Sequence, residues 1–436
     1  MEEKKKKIRP RLLLRNLPCM DILGEVPEEA EPCGAGNYLI TFEGTTKEAY
    51  DMYLEELQKA GFVKYVDNGD GLDGVVFSAT YILHGNAYTW SQLVVTITYI
   101  ETSHTAYISA CENLPLSEHL IYKDEYVQGN KEGASTSLHM MELFDFGNSF
   151  VFQLKNGHFI ISDGGTDYET PYLIDYLEKL APEGEKPIVE AWFISHGHCD
   201  HGGVLYEFIS DSSLAARICV EGVYYNEPSA QVMSLDPWMW SHMDLLKASI
   251  KGCLKTSEGK RTEIYRPQIG QRYYFSDITV DIVVAQEQIP YLSYHGDFGR
   301  DFNDSTTWCM FNVEGQKCLF CGDGDMGGTD FIMNTYSKEY LNVDIFTLQH
   351  HGFNTRDEFT DFCTVKTVLA TIKGDWKITP LMKKREMNDY LKTKSEEWLV
   401  WGDGTKILTF PYAVGSYETL PNFEWIYHPG VARPGE

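Results

Sequence analysis

Four side chains that can bind metal ions lie within six residues of this chain, in the segment His196-Gly-His198-Cys-Asp200-His201. The segment directly follows the apolar run Ile188–Ile194, which predicts a buried strand. A strand ending there would place the four side chains at one edge of a sheet, where irregular backbone can surround a cation. Three imidazoles beside one carboxylate favour a hydrolytic zinc-type site over a structural site built from thiolates. The segment therefore predicts a metal centre rather than a polar surface loop.

Size and charge limit the classes of partner. The chain has 436 residues, of which 43% are hydrophobic, so it is long enough for two or three domains with buried cores. Its 37 basic and 64 acidic residues give a net charge of −27, which disfavours binding to nucleic acid or to anionic membranes. We expect a small or medium anionic substrate, and the oligomeric state stays open.

Two further features predict a cytoplasmic protein. No stretch of the sequence approaches the roughly 18 consecutive apolar residues of a membrane span. The ten cysteines are scattered, and several lie inside apolar segments, as reduced and buried thiols do in large intracellular proteins.

The chain divides into three predicted parts. Residues 1–36 form an N-terminal extension, 37–125 a small α+β accessory domain, and 126–436 the domain that carries the metal centre. The accessory domain is predicted from a strand at 38–42, a helix opened by the capping box Thr45-x-x-Glu48, and alternating strands at 75–82, 92–100 and 105–111. The third part is predicted to be rich in strands, with helices between them.

Three more segments of the third part share one design, in which an apolar strand ends abruptly in ligand-type residues. These residues are Asp163, Asp323 and the pair His350-His351. Taken singly, an Asp-Gly pair after a strand is more often a turn. Taken with the first segment, in this order and spacing, the three are predicted to converge on one edge of the sheets.

From about residue 138 to 420 the chain resembles the metallo-β-lactamase-fold hydrolases. The signature of that family is an Asp after the early strands, His-x-His-x-Asp-His, a later His, a bridging Asp and a terminal His. Three segments most resemble the hydrolase domain of DNA-uptake competence proteins and the phosphorylcholine esterases of cell-wall teichoic acid. They are Asn303-Asp-Ser305, Leu319-Phe-Cys-Gly-Asp323 and Gln349-His350-His351-Gly352.

The resemblance implies an α/β (α+β) fold, namely an αββα metallo-β-lactamase sandwich beside the small N-terminal α+β domain. It implies two divalent metal ions, most simply Zn²⁺, with Mn²⁺ or Fe²⁺ as alternatives. His198 in place of the Glu of the di-iron branch favours zinc hydrolysis over iron redox chemistry. By position, the first metal would be bound by His196 and His198, the second by Asp200 and His201, and both by Asp323, with Asp163 supporting the ligands from behind.

The resemblance leaves two positions open. One of His350 and His351 would complete the second metal site, and alternation at a strand end favours His350 as the one that points inward. The family's middle His has no clear match. His242 and His295 are the only histidines between His201 and Asp323. His295 is read more readily as a loop residue than as a ligand, and Asn303 is predicted near the first metal instead.

These residues predict a binuclear metal-dependent hydrolase that attacks an anionic ester, such as a phosphodiester, with a metal-bound hydroxide. Asp200 would steady the nucleophile, and the non-ligating histidine, His351 on this assignment, would donate to the leaving group or an oxyanion. Two alternatives remain. A nuclease of the same fold would need a basic groove from residues such as Lys383, Lys384 and Arg385. A non-catalytic metal-binding or regulatory protein could keep the fold alone.

Overall fold

The computed structural model describes most of the chain. The described residues are 16–27, 30–85, 91–123, 134–143, 147–228, 253–285, 302–324, 326–352, 356–373, 385–401 and 404–420. The histidines His242 and His295 lie outside them, as do Lys383 and Lys384.

The first sheet lies in the N-terminal part of the chain. Within the described residues it has six strands in the order β1-β2-β6-β5-β4-β3, all antiparallel. One helix, α1 (Lys47–Lys59), packs Tyr50, Tyr53, Leu54 and Leu57 against it. The strands are β1 (Glu31–Pro32), β2 (Tyr38–Glu43), β3 (Val63–Asp67), β4 (Val76–His84), β5 (Gln92–Ile100) and β6 (Thr105–Glu112).

The second sheet is mixed. Its described strands run in the order β13-β12-β10-β9-β8-β7-β21-β22, with β11 also pairing with β10. The strands are β7 (Ser137–Met140), β8 (Ser149–Gln153), β9 (Phe159–Asp163), β10 (Ile188–Ile194), β11 (Cys219–Val220), β12 (Gly222–Tyr225), β13 (Glu263–Tyr265), β21 (Thr405–Thr409) and β22 (Glu418–Leu420). Strands β9, β10, β12 and β13 are parallel, so their carboxyl ends meet at one edge.

The third sheet has the described order β14-β15-β16-β17-β18-β19-β20. Its strands are β14 (Arg272–Tyr274), β15 (Ile278–Val284), β16 (Trp308–Val313), β17 (Gln316–Phe320), β18 (Val343–Thr347), β19 (Val365–Lys373) and β20 (Glu397–Trp401). Strands β17 to β20 are parallel, and β16 runs against β17. The amino end of β16 therefore lies beside the carboxyl ends of β17 and β18.

The second and third sheets pack face to face through aromatic side chains. Phe150 lies 4.8 Å from Phe320 between ring centroids, and Phe152 lies 4.8 Å from Phe311. Helices cover both outer faces: α2 (Thr170–Leu180), α3 (Cys199–Ser210) and α4 (Ser212–Ala215) on the second sheet, and α5 (Met326–Thr335), α6 (Lys338–Leu341), α7 (Asp357–Phe362) and α8 (Arg385–Lys394) on the third. This layering is the predicted αββα sandwich of an α/β (α+β) protein.

Most predicted elements agree with the structure, with small shifts at their ends. The strands predicted at 38–42, 92–100 and 105–111 correspond to β2, β5 and β6. Helix α1, however, is capped by Thr46, whose hydroxyl accepts from the Ala49 amide at 3.2 Å, and not by Thr45. Thr45 instead donates its hydroxyl to the Leu23 carbonyl at 2.7 Å.

Two general properties complete the description of the fold. None of the ten cysteines is part of a disulfide bond. In the part of the chain that the structure describes, no helix is both long and apolar enough to cross a membrane.

Candidate metal centre

The residues singled out from the sequence come together where the strands of both sheets end. Asp163 is the last residue of β9, and His196 follows β10 by two positions. Asp323 follows β17 by three positions, and His350 follows β18 by three. Because these strands are parallel within each sheet and the two sheets are stacked, four separate stretches of chain reach one mouth of the sandwich.

The first segment runs from a loop into a helix. His196 and His198 lie in the loop after β10, and His198 is the N-cap of α3. Asp200 and His201 lie in the first turn of that helix. The change from loop to helix turns the second pair of side chains in a different direction from the first pair, so that one short segment serves two groups of ligand atoms.

Two groups of potential metal ligands are present among the described residues. The first contains His196, His198 and Asp323, and the second contains Asp200, His201, Asp323 and His351. Within each group, one ligand atom per residue lies within 4.8 Å of all the others. The protein therefore has a buried His/Asp cluster that could hold a metal ion, and Asp323 belongs to both halves of it.

The two oxygens of Asp323 face different histidines. Its Oδ1 lies 3.0 Å from His201 Nε2 and 3.4 Å from His351 Nε2. Its Oδ2 lies 3.9 Å from His196 Nε2 and 3.7 Å from His350 Nε2. Ligand atoms about 2 Å from one tetrahedral ion lie roughly 3.3 Å from each other. The separations at each oxygen are therefore close to those that a shared ion would need.

In three of the imidazole rings, Nδ1 faces a hydrogen-bonding partner. His201 Nδ1 lies 2.9 Å from Asp163 Oδ2, and His196 Nδ1 lies 3.1 Å from the Ser195 hydroxyl. His351 Nδ1 lies 3.2 Å from the Thr371 hydroxyl. Partners of this kind fix the ring orientation and the tautomer, which leaves Nε2 for a metal.

Asp163 organises this part of the site further. Its Oδ1 accepts from the Ser195 backbone amide at 2.8 Å, and its Oδ2 accepts from the Ser195 hydroxyl at 2.9 Å. Asp163 therefore contacts both His201 and Ser195, and its role in supporting a metal site stays a prediction. Ser195 and Thr371 were not singled out from the sequence. Their only signal is that each is a polar residue at the carboxyl end of an apolar strand.

Several atoms at the centre of the cluster are buried without a hydrogen bond. Within the described residues, Nε2 of His196 has no hydrogen-bond partner, and Nε2 of His201 and Oδ1 of Asp323, which lie 3.0 Å apart, do not meet the geometry of a hydrogen bond. Leaving a buried polar atom unsatisfied costs roughly 1–3 kcal/mol. Converging imidazole and carboxylate atoms of this kind fit a divalent metal ion.

The pKa values of the histidines in the cluster are shifted in opposite directions. Burial lowers the pKa of His196 well below its usual value, and the neighbouring His201 and His198 lower it further. Burial also opposes the charged form of His201, but the carboxylates of Asp323, Asp200 and Asp163 outweigh it and raise that pKa. Burial would raise the pKa of Asp323, yet the nearby His201 and His351 hold it well below its usual range. Without a metal ion, protonated imidazole rings therefore balance the negative charge of the carboxylates. A metal ion bound to these rings would displace their protons.

The sequence favours His350 over His351 as the metal ligand because side chains alternate in direction along a strand. The backbone at these two residues is not extended, so that alternation does not apply. His350 (φ 43°) and His351 (φ 48°) both have left-handed conformations. As a result both rings reach the cluster. His351 is buried, with Nε2 at 3.1 Å from Asp200 Oδ2, whereas the side chain of His350 is 26% exposed. His351, and not His350, belongs to the second ligand group.

A turn at Gly322 brings Asp323 into the cluster. Gly322 has a φ of 49°, and a Cβ there would lie 2.7 Å from the Ser195 side chain, so a larger residue would force the two strand ends apart. The Gly322 carbonyl also accepts from the His350 amide at 3.0 Å, which joins the ends of β17 and β18.

Asn303 lies before β16, on the His350 side of the cluster. Its Nδ2 is 3.5 Å from both ring nitrogens of His350. Asn303 therefore lies near the cluster by its contact with His350, which in turn lies close to Asp323. The structure does not bear on His242 or His295, which lie outside the described residues.

Comparison with known proteins does not name a family. No family model matches the chain, and no curated protein matches its sequence. A protein of unknown function from Enterococcus faecalis V583 is similar at 14% identity and a TM-score of 0.26. The match covers 49% of each chain, so this chain spans about half the length of that protein. A metallo-β-lactamase from Hirschia baltica is similar at 10% identity and a TM-score of 0.21, over 59% of this chain and 68% of that one. Both TM-scores are too low to identify this chain.

Proposed function

We propose that this protein is a binuclear metal-dependent hydrolase whose substrate is an anionic ester such as a phosphodiester. The observation that carries the proposal is the position of Asp323, whose two carboxylate oxygens face different histidines. A carboxylate placed between two ligand groups is suited to bridge two divalent ions. Imidazole and carboxylate ligands favour Zn²⁺, with Mn²⁺ or Fe²⁺ as alternatives.

Two ions bound here would lower the pKa of a shared water toward neutrality and polarise the ester oxygen under attack. The protein's own residues supply the geometry. His196 and His198 would hold one ion, Asp200, His201 and His351 the other, and Asp323 both. Asp163, Ser195 and Thr371 would keep the rings in the tautomer that presents Nε2.

His350 is then available for another task. Its ring borders Asp323 but stays partly exposed at the mouth of the sandwich, where a substrate would enter. We assign it the transfer of a proton to the leaving group, and His351 the role of a ligand. This assignment is the reverse of the one from strand alternation, in which His350 is the ligand and His351 the proton donor.

Metal content and turnover test the proposal together. Zinc-loaded protein is expected to contain close to two metal equivalents and to hydrolyse at least one class among phosphodiesters, thioesters, lactones and β-lactams. Asp323→Asn removes the bridging charge without changing the volume, so both metal content and turnover should fall. Asp281→Asn is a matched control, because Asp281 is also buried but pairs with Arg272 and Tyr340 away from the cluster.

A protein with one metal or none and no turnover across that panel would contradict the proposal. It would favour the non-catalytic alternative. Hydrolysis of polynucleotides with preference over small diesters would instead favour a nuclease, which the net charge of −27 disfavours.

A further inference from the structure

A small cavity lies between the second and third sheets, next to the strand ends that carry the ligand-type residues. Its volume is about 10 Å³, the size at which a cavity begins to hold one water molecule. Ser195 and Gly322 form part of its wall, and the residues that follow them in the chain are His196 and Asp323. The cavity is therefore adjacent to the candidate metal centre, on the side of the protein interior.

The cavity exists because short side chains meet at this level of the core. Ser162 is paired with Phe150 on the neighbouring strand, and Phe150 packs against Phe320 of the third sheet. Cys309 is in turn paired with Phe320. Because paired residues of neighbouring strands lie on the same face of a sheet, Ser162 and Cys309 both point into the space between the sheets. Both line the cavity, and neither is long enough to fill it.

The cavity wall includes a buried hydroxyl group that lacks a partner. Thr307 lines the cavity and is 4% exposed, and among the described residues its Oγ1 makes no hydrogen bond. Its backbone amide donates to the Ser195 carbonyl at 2.8 Å, so Thr307 and Ser195 lie side by side at the wall. A buried hydroxyl is normally satisfied, because its desolvation is otherwise uncompensated.

Ser195 offers a second group for hydrogen bonding. Its hydroxyl donates to Asp163 Oδ2 at 2.9 Å and faces His196 Nδ1 at 3.1 Å. A serine hydroxyl has one proton and two lone pairs, so one lone pair is left after these two contacts. Ser162 contributes a third hydroxyl to the wall. A cavity that holds a water molecule needs two to four polar partners, and these three hydroxyls meet that requirement.

We infer that the cavity is a binding site for one water molecule, which accepts from the Thr307 hydroxyl and donates to the hydroxyl of Ser195. The volume admits one water and nothing larger. The water joins the end of β16 to the hydroxyl that holds Asp163 and His196 in place. It is thus part of the support of the candidate metal centre, and its presence does not depend on any reaction that the protein catalyses.

Two neighbouring threonines provide a matched pair of variants. Thr306 is 1% exposed, and its hydroxyl likewise makes no hydrogen bond among the described residues, but Thr306 is not part of the cavity wall. Thr306→Val replaces an uncompensated hydroxyl by a methyl group of the same shape, so the melting temperature should stay the same or rise. Thr307→Val removes a partner of the water, so the melting temperature should fall. A melting temperature of Thr307→Val equal to or above that of Thr306→Val would overturn the inference.

High-resolution crystal structures give a direct second measurement. The wild-type protein and Thr306→Val should show one water in the cavity, at hydrogen-bonding distance from Thr307 Oγ1. Thr307→Val should lack that water or hold it at reduced occupancy. An empty cavity in the wild-type protein would overturn the inference even if the melting temperatures differ as expected.

Zinc competition titrations test the link between the water and the metal centre. Thr307→Val should weaken zinc binding by about threefold or more, which is less than the roughly 10- to 100-fold loss typical of a direct partner of a ligand. Thr306→Val should bind zinc as the wild-type protein does. Equal affinities in all three proteins would overturn this link. A wild-type protein that binds no zinc would instead refute the proposed function, and the melting temperatures and crystal structures would still decide whether the water site exists.

Discussion

Asp163→Asn tests whether the residues behind the cluster set its metal affinity. In the native site Asp163 Oδ2 lies 2.9 Å from His201 Nδ1, which holds the ring proton on Nδ1 and leaves Nε2 free. An asparagine would keep the volume and could still accept from the Ser195 amide. Its NH₂ group, turned toward His201, would instead favour a proton on Nε2, the atom that faces Asp323 at 3.0 Å.

Loss of such a supporting partner typically weakens metal binding 10- to 100-fold, which corresponds to about 1.4–2.7 kcal/mol. We expect that loss in zinc competition titrations against a chelator of known affinity. Long-range ¹H–¹⁵N spectra of the metal-free protein, recorded over a pH series, should show His201 losing its second proton at lower pH, because Asp163 is one of the carboxylates that raise its pKa. Asp281→Asn should change neither property. Native zinc affinity and an unchanged titration of His201 in Asp163→Asn would refute this account of the site.

Two further predictions concern individual histidines. His351→Gln should lose about one metal equivalent, whereas His350→Gln should keep both and lose about 100-fold in kcat; the reverse pattern of metal content would return the ligand role to His350. His139, buried between the Ser137 and Tyr176 hydroxyls, has its pKa lowered to about 4 by burial. The unfolded chain therefore takes up this proton first, and stability is lost as pH falls from about 6.5 toward 4. By pH 5 the loss should be about 2 kcal/mol in urea unfolding. His139→Gln should remove that part of the pH dependence, and identical pH profiles for the two proteins would contradict the assignment.

The convergence of the ligand-type residues could be predicted because it follows from local signals. Each of Asp163, His196, Asp323 and His350 comes directly after an apolar run of strand length. Carboxyl ends of parallel strands share an edge, so a repeated pattern of this kind places the residues together even when the strand order is unknown. The division of the chain into separate domains stays a prediction, although the first sheet has a hydrophobic core of its own.

The details that decide chemical roles could not be predicted in the same way. Strand alternation fails at His350 and His351 because both residues have positive φ, which short sequence patterns do not indicate for histidine. The contacts that join the first sheet to the rest are also long-range. The Asp73 carboxylate, for example, accepts from the Ser337 hydroxyl at 3.0 Å. Nothing near either residue in the sequence indicates that pairing.

Three of the seven non-glycine residues with positive φ in the described part of the chain lie at the candidate site. Asp163, His350 and His351 are among the few non-glycine residues with positive φ in the described part of the chain, with values of 58°, 43° and 48°. Each such residue costs on the order of 1 kcal/mol or more, and it persists only where the surroundings hold it. Here the holding contacts are the Ser195 hydrogen bonds to Asp163 and the bond from His350 to the Gly322 carbonyl. A fold without a ligand to bind gains nothing from three strained residues around unsatisfied imidazoles. Under the proposed function, one bound cation would account for both the strain and the unsatisfied nitrogen atoms.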